Sequence, residues 1–254
     1  MEWIQIAAIL GAGIGIGFGA IGSAIGEGII AMKATAALGR QPAAGQQILK
    51  IMIIGQAITE TAAIFALVIS LILVFNNPEA GLPFVKGIAL IASGIAIGLG
   101  TIGSGLGAGL PGGSAMEGMG RNPKNSDVLT IQMIIGQAVT QTSTIFALTV
   151  SLILFTLTPE NTLIKVFALL GAAFAMGVGA IGPGIGDGLV AKNANTAVGN
   201  SPEHMGLLTR TMIIGQAVTE TTDIYSLVVA LILIFVVWGY TRENIFYHRI
   251  LLFL

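Results

Sequence analysis

Six long apolar runs dominate this 254-residue sequence. They cover residues 4–32, 50–75, 84–114, 128–156, 163–191 and 208–238. Each run exceeds the roughly 20 residues that a helix needs to cross a bilayer core. Backbone polar groups cannot stay unpaired in lipid, so a spanning segment must be a helix or part of a closed barrel. Because the runs are too long for barrel strands and lack a two-residue alternation, we predict six transmembrane helices.

The composition agrees with a membrane protein, since 54% of the residues are hydrophobic and only 9% are charged. Soluble proteins average about 25% charged residues. The net charge of -1 gives no electrostatic basis for binding nucleic acid. Cysteine is absent, and His204 and His248 are too far apart in sequence to suggest a zinc site. The first residues lack the basic region of a secretory signal, so we interpret the first run as a mature span.

The six runs form three repeats. A Gly-Gln-Ala element recurs at Gly55, Gly136 and Gly215, and glycine-rich openings and polar turns recur in step. Each repeat is a glycine-rich span, a turn and an Ile/Leu-rich span. The predicted fold is therefore an all-α membrane protein of three tandem helical hairpins. Their predicted bounds are 1–80, 81–160 and 161–240, and a tail at 241–254 is either interfacial or disordered.

Basic residues are concentrated in the turns within hairpins, as at Lys33, Arg40, Arg121 and Lys192. The linkers between hairpins carry Glu79 and Glu160, with one lysine following each. The positive-inside rule then predicts cytoplasmic turns and places both termini outside.

The glycine-rich openings contain three G-x-G-x-x-G matches, starting at Gly17, Gly98 and Gly177. A dinucleotide site needs this motif between a soluble strand and a helix, so we reject that function. Small residues let helix backbones approach closely in lipid. The pattern favours first helices crowded into the inner layer of a ring, although ordinary packing in a monomeric bundle would explain one such stripe.

Acidic residues inside the spans are the strongest functional signal, because an intramembrane charge is costly and usually functional. Glu60 and Glu220 occupy equivalent positions in repeats 1 and 3, and Gln141 replaces them in repeat 2. The first spans contribute Glu27 and Asp187, and Ala108 is their counterpart in repeat 2. Repeat 2 loses both acids together, which indicates that the two acids of a hairpin serve one site.

Two carboxylates close together in a low dielectric need a shared proton or a bound cation. Hydroxyls from Thr61 and Thr221 and carbonyls near Ile58 and Val218 could add hard oxygen ligands. These oxygens favour Na+, while H+ remains the alternative. A neutral acid that only bridges helices is the structural alternative.

The glycine ladder, the Arg-Gln-Pro turn at 40–42 and Gly-Gln-Ala-x-x-Glu-Thr followed by Ile-Tyr-Ser at 224–226 resemble a known family. The family is the c subunit, or proteolipid, of rotary ATP synthases, and the match is closest to Na+-dependent F-type forms. The resemblance covers about residues 5–238. It implies a non-catalytic rotor subunit in a ring of c subunits, homomeric or mixed, that couples ion transport to ATP synthesis or hydrolysis.

The resemblance also assigns roles to residues. Glu60 and Glu220 would carry the ion, Thr61 and Thr221 would be co-ligands, and Glu27 and Asp187 would be their first-helix partners. The inactive counterparts are Ala108, Gln141 and Thr142. The central stalk would contact Arg40, Gln41 and Pro42 and their counterparts Arg121, Asn122 and Pro123. A stator a subunit and membrane lipid would be further partners, in a prokaryotic cell membrane.

Repeat 2 departs from the family pattern, because Pro111-Gly112-Gly113 is expected to end its first helix early. Two alternatives to the F-type interpretation remain: a V/A-type proteolipid used for ATP-driven pumping, and a membrane channel built from the same hairpins. An inert helical bundle would tolerate Gln in place of both glutamates.

Overall fold

The computed structural model describes residues 2–75 and 82–239, with side chains described as far as residue 235. These residues form eight α-helices and no strand. The helices are α1 (Glu2–Arg40), α2 (Gly45–Phe75), α3 (Phe84–Arg121), α4 (Ser126–Thr140), α5 (Thr142–Thr156), α6 (Leu163–Gly179), α7 (Ile181–Asn200) and α8 (Met205–Gly239). The predicted tail at 241–254 lies outside the described residues.

Three short 3-10 turns connect the two helices of each hairpin: Pro42–Ala44, Pro123–Asn125 and Pro202–His204. Each begins with proline, whose fixed φ suits a first helical position and whose missing N–H has no partner to lose there. With these turns, the six spans make three hairpins, as predicted.

The helices extend beyond the predicted apolar spans at the turn end. Helix α1 continues to Arg40, eight residues past the predicted end at residue 32. Residues 34–38 include three alanines and a leucine, which are strong helix formers. Hydropathy therefore marked the apolar part of the helix, whereas helix propensity carries the helix further.

The expectation that Pro111 ends its helix was wrong, since α3 continues to Arg121. The Pro111 carbonyl accepts hydrogen bonds from the Ser114 hydroxyl and from the Asn195 amide of α7, both at 2.9 Å. Helix α3 is also the most buried span, with 78% of its most apolar window enclosed by other helices. Tertiary packing, including the Asn195 bond that ties this turn to α7, holds the helix together although proline cannot donate to the Gly107 carbonyl.

Two other spans are interrupted where the sequence predicted continuous helices. Helix α6 ends next to Ala180, and α7 starts at Ile181. Pro183 lacks the N–H that would bond to the Gly179 carbonyl, which explains this interruption. The second interruption is at Gln141, between α4 and α5. There the Thr142 hydroxyl donates to the Val139 carbonyl at 2.8 Å and competes with the helical hydrogen-bond ladder.

The first helices of the three hairpins form one layer and the second helices form another. Helix α3 is central in the first layer, in contact with α1 on one side and with α6 and α7 on the other. In the second layer, α2 and α8 flank the α4–α5 span. The hairpins are therefore stacked side by side in sequence order.

Glycine makes the close contact between neighbouring first helices feasible. A Cβ added at Gly22 would lie 2.2 Å from the Ile102 carbonyl oxygen, and one at Gly103 would lie 2.4 Å from that of Ile181. Gly22 and Gly103 are equivalent positions of the repeat. The α1–α3 contact is thus repeated between α3 and α7, and any side chain at these positions would separate the helices.

Candidate ion-binding sites

A glutamine from each second helix fastens it to the first helix of its own hairpin. The side-chain amides of Gln56, Gln137 and Gln216 donate to the backbone carbonyls of Glu27, Ala108 and Asp187, at 3.3, 2.9 and 3.3 Å. These carbonyls belong to the predicted first-helix site residues and to their repeat 2 counterpart. These three hydrogen bonds therefore place Glu27, Ala108 and Asp187 at the same height along their hairpins.

The same glutamines also connect each hairpin to the preceding one. Gln137 Nε2 donates to the Gly55 carbonyl at 3.0 Å, and Gln216 Nε2 donates to the Gly136 carbonyl at 3.2 Å. Within the described part of the chain, Gln56 Nε2 donates only inside its own hairpin. The described hairpins therefore leave Gln56 without an equivalent of this second acceptor.

In hairpin 1, the structure brings Glu27 and Glu60 close enough for their charges to interact. Glu60 is exposed at the edge of the hairpin, whereas Glu27 and Thr61 are partly buried. The Thr61 hydroxyl donates within its own helix to the Ala57 carbonyl, at 3.4 Å. Hairpin 1 therefore presents its carboxylate at an open side of the molecule.

Gln141 of hairpin 2 faces hairpin 1. Its Nε2 donates to the Ile58 carbonyl at 3.0 Å, the oxygen that the sequence suggested as a cation ligand. Ala108 is fully buried and supplies no polar group. At this junction an amide N–H therefore occupies the side of the Ile58 carbonyl where a cation would be needed.

Hairpin 3 combines several of the predicted ligands. Glu220 is half-buried, and its Oε1 is within hydrogen-bond distance of the Thr142 hydroxyl of hairpin 2. The Thr221 hydroxyl donates to the Val218 carbonyl at 2.7 Å, so these two predicted oxygens are adjacent. Asp187 is fully buried, and its charge interacts with that of Glu220.

Asp223 is a site residue that the sequence analysis missed. It lies three residues after Glu220 on α8, is fully buried, and also interacts electrostatically with Glu220. Its counterparts in repeats 1 and 2 are Ala63 and Thr144. An acid inside a membrane span is itself a signal, and it could have been found by comparing this position across the repeats.

The predicted stalk-contact residues all lie at the turn end of the hairpins. Arg40, Pro42, Arg121 and Asn122 are exposed there, while Gln41 and Pro123 are partly buried. The Asn125 amide donates to the Gly199 carbonyl at 3.1 Å and connects the turns of hairpins 2 and 3. The turns thus form one polar surface.

Lys33 of hairpin 1 and Glu117 of hairpin 2 form an ion pair of 3.0 Å at the same end. This ion pair connects α1 to α3, and so hairpin 1 to hairpin 2, close to the polar turns.

The outer face of the second helices is apolar. Large exposed side chains include Ile53, Ile64, Leu67, Ile213 and Val218. A soluble protein rarely exposes a continuous surface of this kind, whereas a lipid-facing surface requires it. Six apolar helices, a close-packed inner layer and acids within the spans define a multi-pass membrane proteolipid.

Comparisons with known proteins identify the family. The family model for the ATP synthase c subunit matches three times, at residues 10–73, 91–154 and 170–233. The ATP synthase c subunit of Petrotoga mobilis is 57% identical over 68 residues, which are 27% of this chain and 71% of that protein. The c subunit of Alkaliphilus oremlandii is 53% identical over 73 residues, 29% of this chain and 82% of that protein. A c subunit of Cereibacter sphaeroides is 44% identical over 79 residues, 31% of this chain and 93% of that protein.

The chain belongs to the ATP synthase c-subunit family, as a form with three hairpins. The predicted family and the three-hairpin fold are therefore confirmed. Its relatives are subunits of the rotor, so the chain is a structural rotor proteolipid and not a catalytic subunit.

Proposed function

We propose that this proteolipid carries Na+ across the membrane on Glu60 and Glu220, and that this transport is coupled to ATP synthesis or hydrolysis by the rest of the complex. The carrying observation is the hydroxyl of Thr142 from hairpin 2, which lies within hydrogen-bond distance of Glu220 Oε1. On the same helix as Glu220, the Thr221 hydroxyl and the Val218 carbonyl lie beside each other and add hard oxygens near this level. Na+ prefers several oxygen ligands, whereas a proton needs one carboxyl. H+ is the alternative ion.

The Thr142 hydroxyl supports a positive charge at this position. It lies within hydrogen-bond distance of both Glu220 Oε1 and the Val139 carbonyl. A hydroxyl has one proton and can donate to only one of them at a time. When the hydroxyl donates to the Val139 carbonyl, it has no proton left for Glu220 Oε1. A cation, or a proton on the Glu220 carboxyl, then provides the missing positive partner.

Hairpin 1 docks against hairpin 3 of a second copy in this proposal. This docking is supported by the space around Gly28, compared with the space around its repeat counterparts Gly109 and Gly188. A Cβ added at Gly109 or Gly188 would lie 2.3 or 2.2 Å from the neighbouring helix, whereas nothing described lies within 4 Å of one at Gly28. Gly17 is equally open, although its counterpart Gly98 packs against α1.

The bonds of Gln56 support the same contact. Gln137 and Gln216 each reach a carbonyl of the preceding hairpin, and Gln56 would find its equivalent in the Gly215 carbonyl of a second copy. A head-to-tail contact of this kind is heterologous and closes into a ring when the rotation between copies divides a full turn. Glu60 would then face Val218 of that copy, as Gln141 faces Ile58 within the chain.

Electrostatics link cation binding to rotation. A loaded glutamate is neutral and can face lipid, while an empty carboxylate is costly there. The family resemblance implies that the empty site stays beside an arginine of the stator a subunit, where ions exchange. Each charge that crosses the membrane provides about 2.3 kcal/mol per 100 mV.

Gln141 reduces the number of carriers to two glutamates for three hairpins. Fewer ions per turn provide less driving force for each ATP. This ring is therefore suited to ATP-driven ion pumping, the mode of the V/A-type alternative, or it includes single-hairpin subunits with a full set of acids. A mass measurement on the intact ring distinguishes the two, and a homomeric ring that makes ATP at ordinary potentials would contradict both.

The polar turn surface is the proposed contact for the central stalk, on the cytoplasmic side of a prokaryotic cell membrane. Arg40 and Arg121 lie exposed on it, as a positive-inside orientation requires.

Carbodiimide labelling tests the carriers. Dicyclohexylcarbodiimide (DCCD) should modify Glu60 and Glu220, and Na+ should slow the reaction because it occupies the carboxylates. Glu60→Gln and Glu220→Gln should each remove one label, and the double variant should abolish cation-coupled turnover. Glu203→Gln, which changes an exposed acid in the third turn, is the matched control.

Comparison of the labelling rates with and without Na+ distinguishes Na+ from H+ as the carried ion. Equal rates with and without Na+, at a pH where the acid is partly protonated, would favour H+. Intact coupling in the double variant would exclude the proposed carriers altogether.

A further inference from the structure

Hairpin 3 contains a second pair of acids, formed by Asp187 on α7 and Asp223 on α8. Both are fully buried, and all four of their carboxylate oxygens lack a hydrogen-bond partner of good geometry. Their charges are close enough to interact. Two buried carboxylates without compensation are strongly unfavourable, so a shared proton or a bound cation must accompany them.

A third oxygen is available beside this pair. Ser143 of hairpin 2 is fully buried, lies next to Asp223, and its hydroxyl also lacks a partner of good geometry. Buried hydroxyls and carboxylates normally have well-formed hydrogen bonds. Because the Ser143 hydroxyl interacts with the Asp223 carboxylate and neither group has a hydrogen bond of good geometry, the oxygens of both are available to one ligand.

We propose that Asp187, Asp223 and Ser143 form a second Na+ site in hairpin 3, which shares Asp187 with the site of the ion that Glu220 carries. The ligand class is a hard monovalent cation, because the available donors are oxygens. The described residues contain no group of three or more acidic or histidine side chains that could hold one metal ion together. Two carboxylates and a hydroxyl therefore fit Na+ better than a divalent ion.

The other hairpins show why this site is specific to hairpin 3. In hairpin 1, the Ser23 hydroxyl donates to the Thr59 carbonyl at 3.0 Å and accepts from the Ala63 N–H at 3.2 Å. In hairpin 2, the hydroxyls of Ser104 and Thr144 bond to each other. These interior positions are neutral and satisfied by the protein.

Hairpin 3 has Pro183 and Asp223 at the corresponding positions. Proline has no hydroxyl to bond the acid, so the protein replaces a satisfied neutral pair by an unsatisfied charge. This change is explained if a bound cation completes the set.

Glu220 and Asp223 have different surroundings although they belong to the same helix. Glu220 is half-buried and contacts Thr142, whereas Asp223 is enclosed beside Ser143. One acid is thus available for exchange at the edge of the hairpin, and the other is enclosed between hairpins 2 and 3. With the two proposed carriers, the enclosed site brings the total to three Na+ for three hairpins.

Equilibrium binding of radioactive Na+ to purified rings of the full chain tests this inference. We expect three Na+ per chain in the native protein and two in Asp223→Asn, which keeps the shape and removes the charge. Ser143→Ala should lower the affinity of the same ion. Asp127→Asn, which changes an exposed acid in the first turn of α4, should leave three.

Two Na+ per native chain, or an unchanged count in Asp223→Asn, would overturn the inference. Asp223→Ala, which introduces the hairpin 1 residue, replaces the asparagine variant if that one does not assemble. The inference rests on Na+ as the ion of the proposed function. DCCD labelling shows whether a negative result means that the carriers do not bind Na+ or only that the second site does not exist. If Na+ slows labelling of Glu60 but only two ions bind, the carrier proposal stands and this site does not.

Discussion

At the residue scale, hairpin 2 differs from its neighbours by the amide of Gln141. An amide can donate to the Ile58 carbonyl directly, at 3.0 Å, whereas a carboxylate at that position would repel the carbonyl unless a cation lay between them. The substitution therefore replaces a removable ion by a permanent hydrogen bond. Hairpins 1 and 2 are held together at this point whether or not cation is present.

We expect Gln141→Glu to create a third DCCD-reactive carboxyl whose labelling is slowed by Na+. The new acid would have the Ile58 carbonyl and Thr142 as neighbours. Gln141→Leu, which removes the hydrogen bond without adding charge, is the control and should cost about 0.5–1.5 kcal/mol, because the Ile58 carbonyl loses one hydrogen bond and keeps its partner within α2. Peptide mapping of the labelled chain is the measurement. An assembled ring of Gln141→Glu with no label at this position would contradict this explanation of hairpin 2.

Sequence reasoning found Glu60 and Glu220 because an acid in an apolar run is conspicuous. It did not find Asp223, because Asp223 ends a short polar stretch, Thr219 to Asp223, that already contains Glu220. In such a stretch a second acid does not stand out as an isolated charge in an apolar run. The helical positions differ, since residues three apart on a helix point in directions about 60° apart. Only the packing of α8 shows which of the two acids is enclosed.

At the scale of elements, glycine determines how closely the first helices pack. The closest contacts are between backbones, as at Gly94, where an added Cβ would lie 2.0 Å from the Gly11 carbonyl oxygen. Backbone cannot move aside as a flexible side chain can. The Pro111 result belongs to the same scale, since an enclosed helix tolerates a proline that would end an isolated one.

We expect Gly22→Ala to destabilise the folded chain by about 1–3 kcal/mol, as overpacking usually does. The added methyl group would lie 2.2 Å from the Ile102 carbonyl oxygen and would push α1 away from α3. Gly206→Ala is the control, because nothing described lies within 4 Å of a Cβ there. Thermal unfolding in detergent measures both. Equal stability of the two variants would show that the α1–α3 contact is less tight than the structure indicates.

At the scale of the whole molecule, the chain is an open stack with two unlike ends. Hairpin 1 has unfilled glycine positions at Gly17 and Gly28, and hairpin 3 presents the exposed Val218 and Thr221. Such ends fit each other in a head-to-tail assembly. The contact between chains would then repeat the contacts within the chain.

We expect Gly28→Ala to prevent ring formation while leaving the folded chain as stable as the native one. Within one chain nothing described opposes the added methyl group, but in the proposed contact it would meet the helix of the next copy. Gly109→Ala, at the equivalent position of α3, should instead destabilise the chain itself, since a Cβ there lies 2.3 Å from the Gly26 Cα. Native mass spectrometry measures assembly, and thermal unfolding measures stability. Normal rings of Gly28→Ala would argue against this contact.

The sequence by itself determined the lipid-spanning helices, their pairing into three hairpins and the positions of the conspicuous acids, because hydropathy and repeat spacing are local properties of the chain. Tertiary structure alone decided that α3 remains continuous through Pro111, that Gln141 bonds to the neighbouring hairpin and that Asp223 is enclosed. Each of these outcomes depends on partners about 80 residues away in sequence. Burial and hydrogen bonding between such partners exist only once the helices are packed.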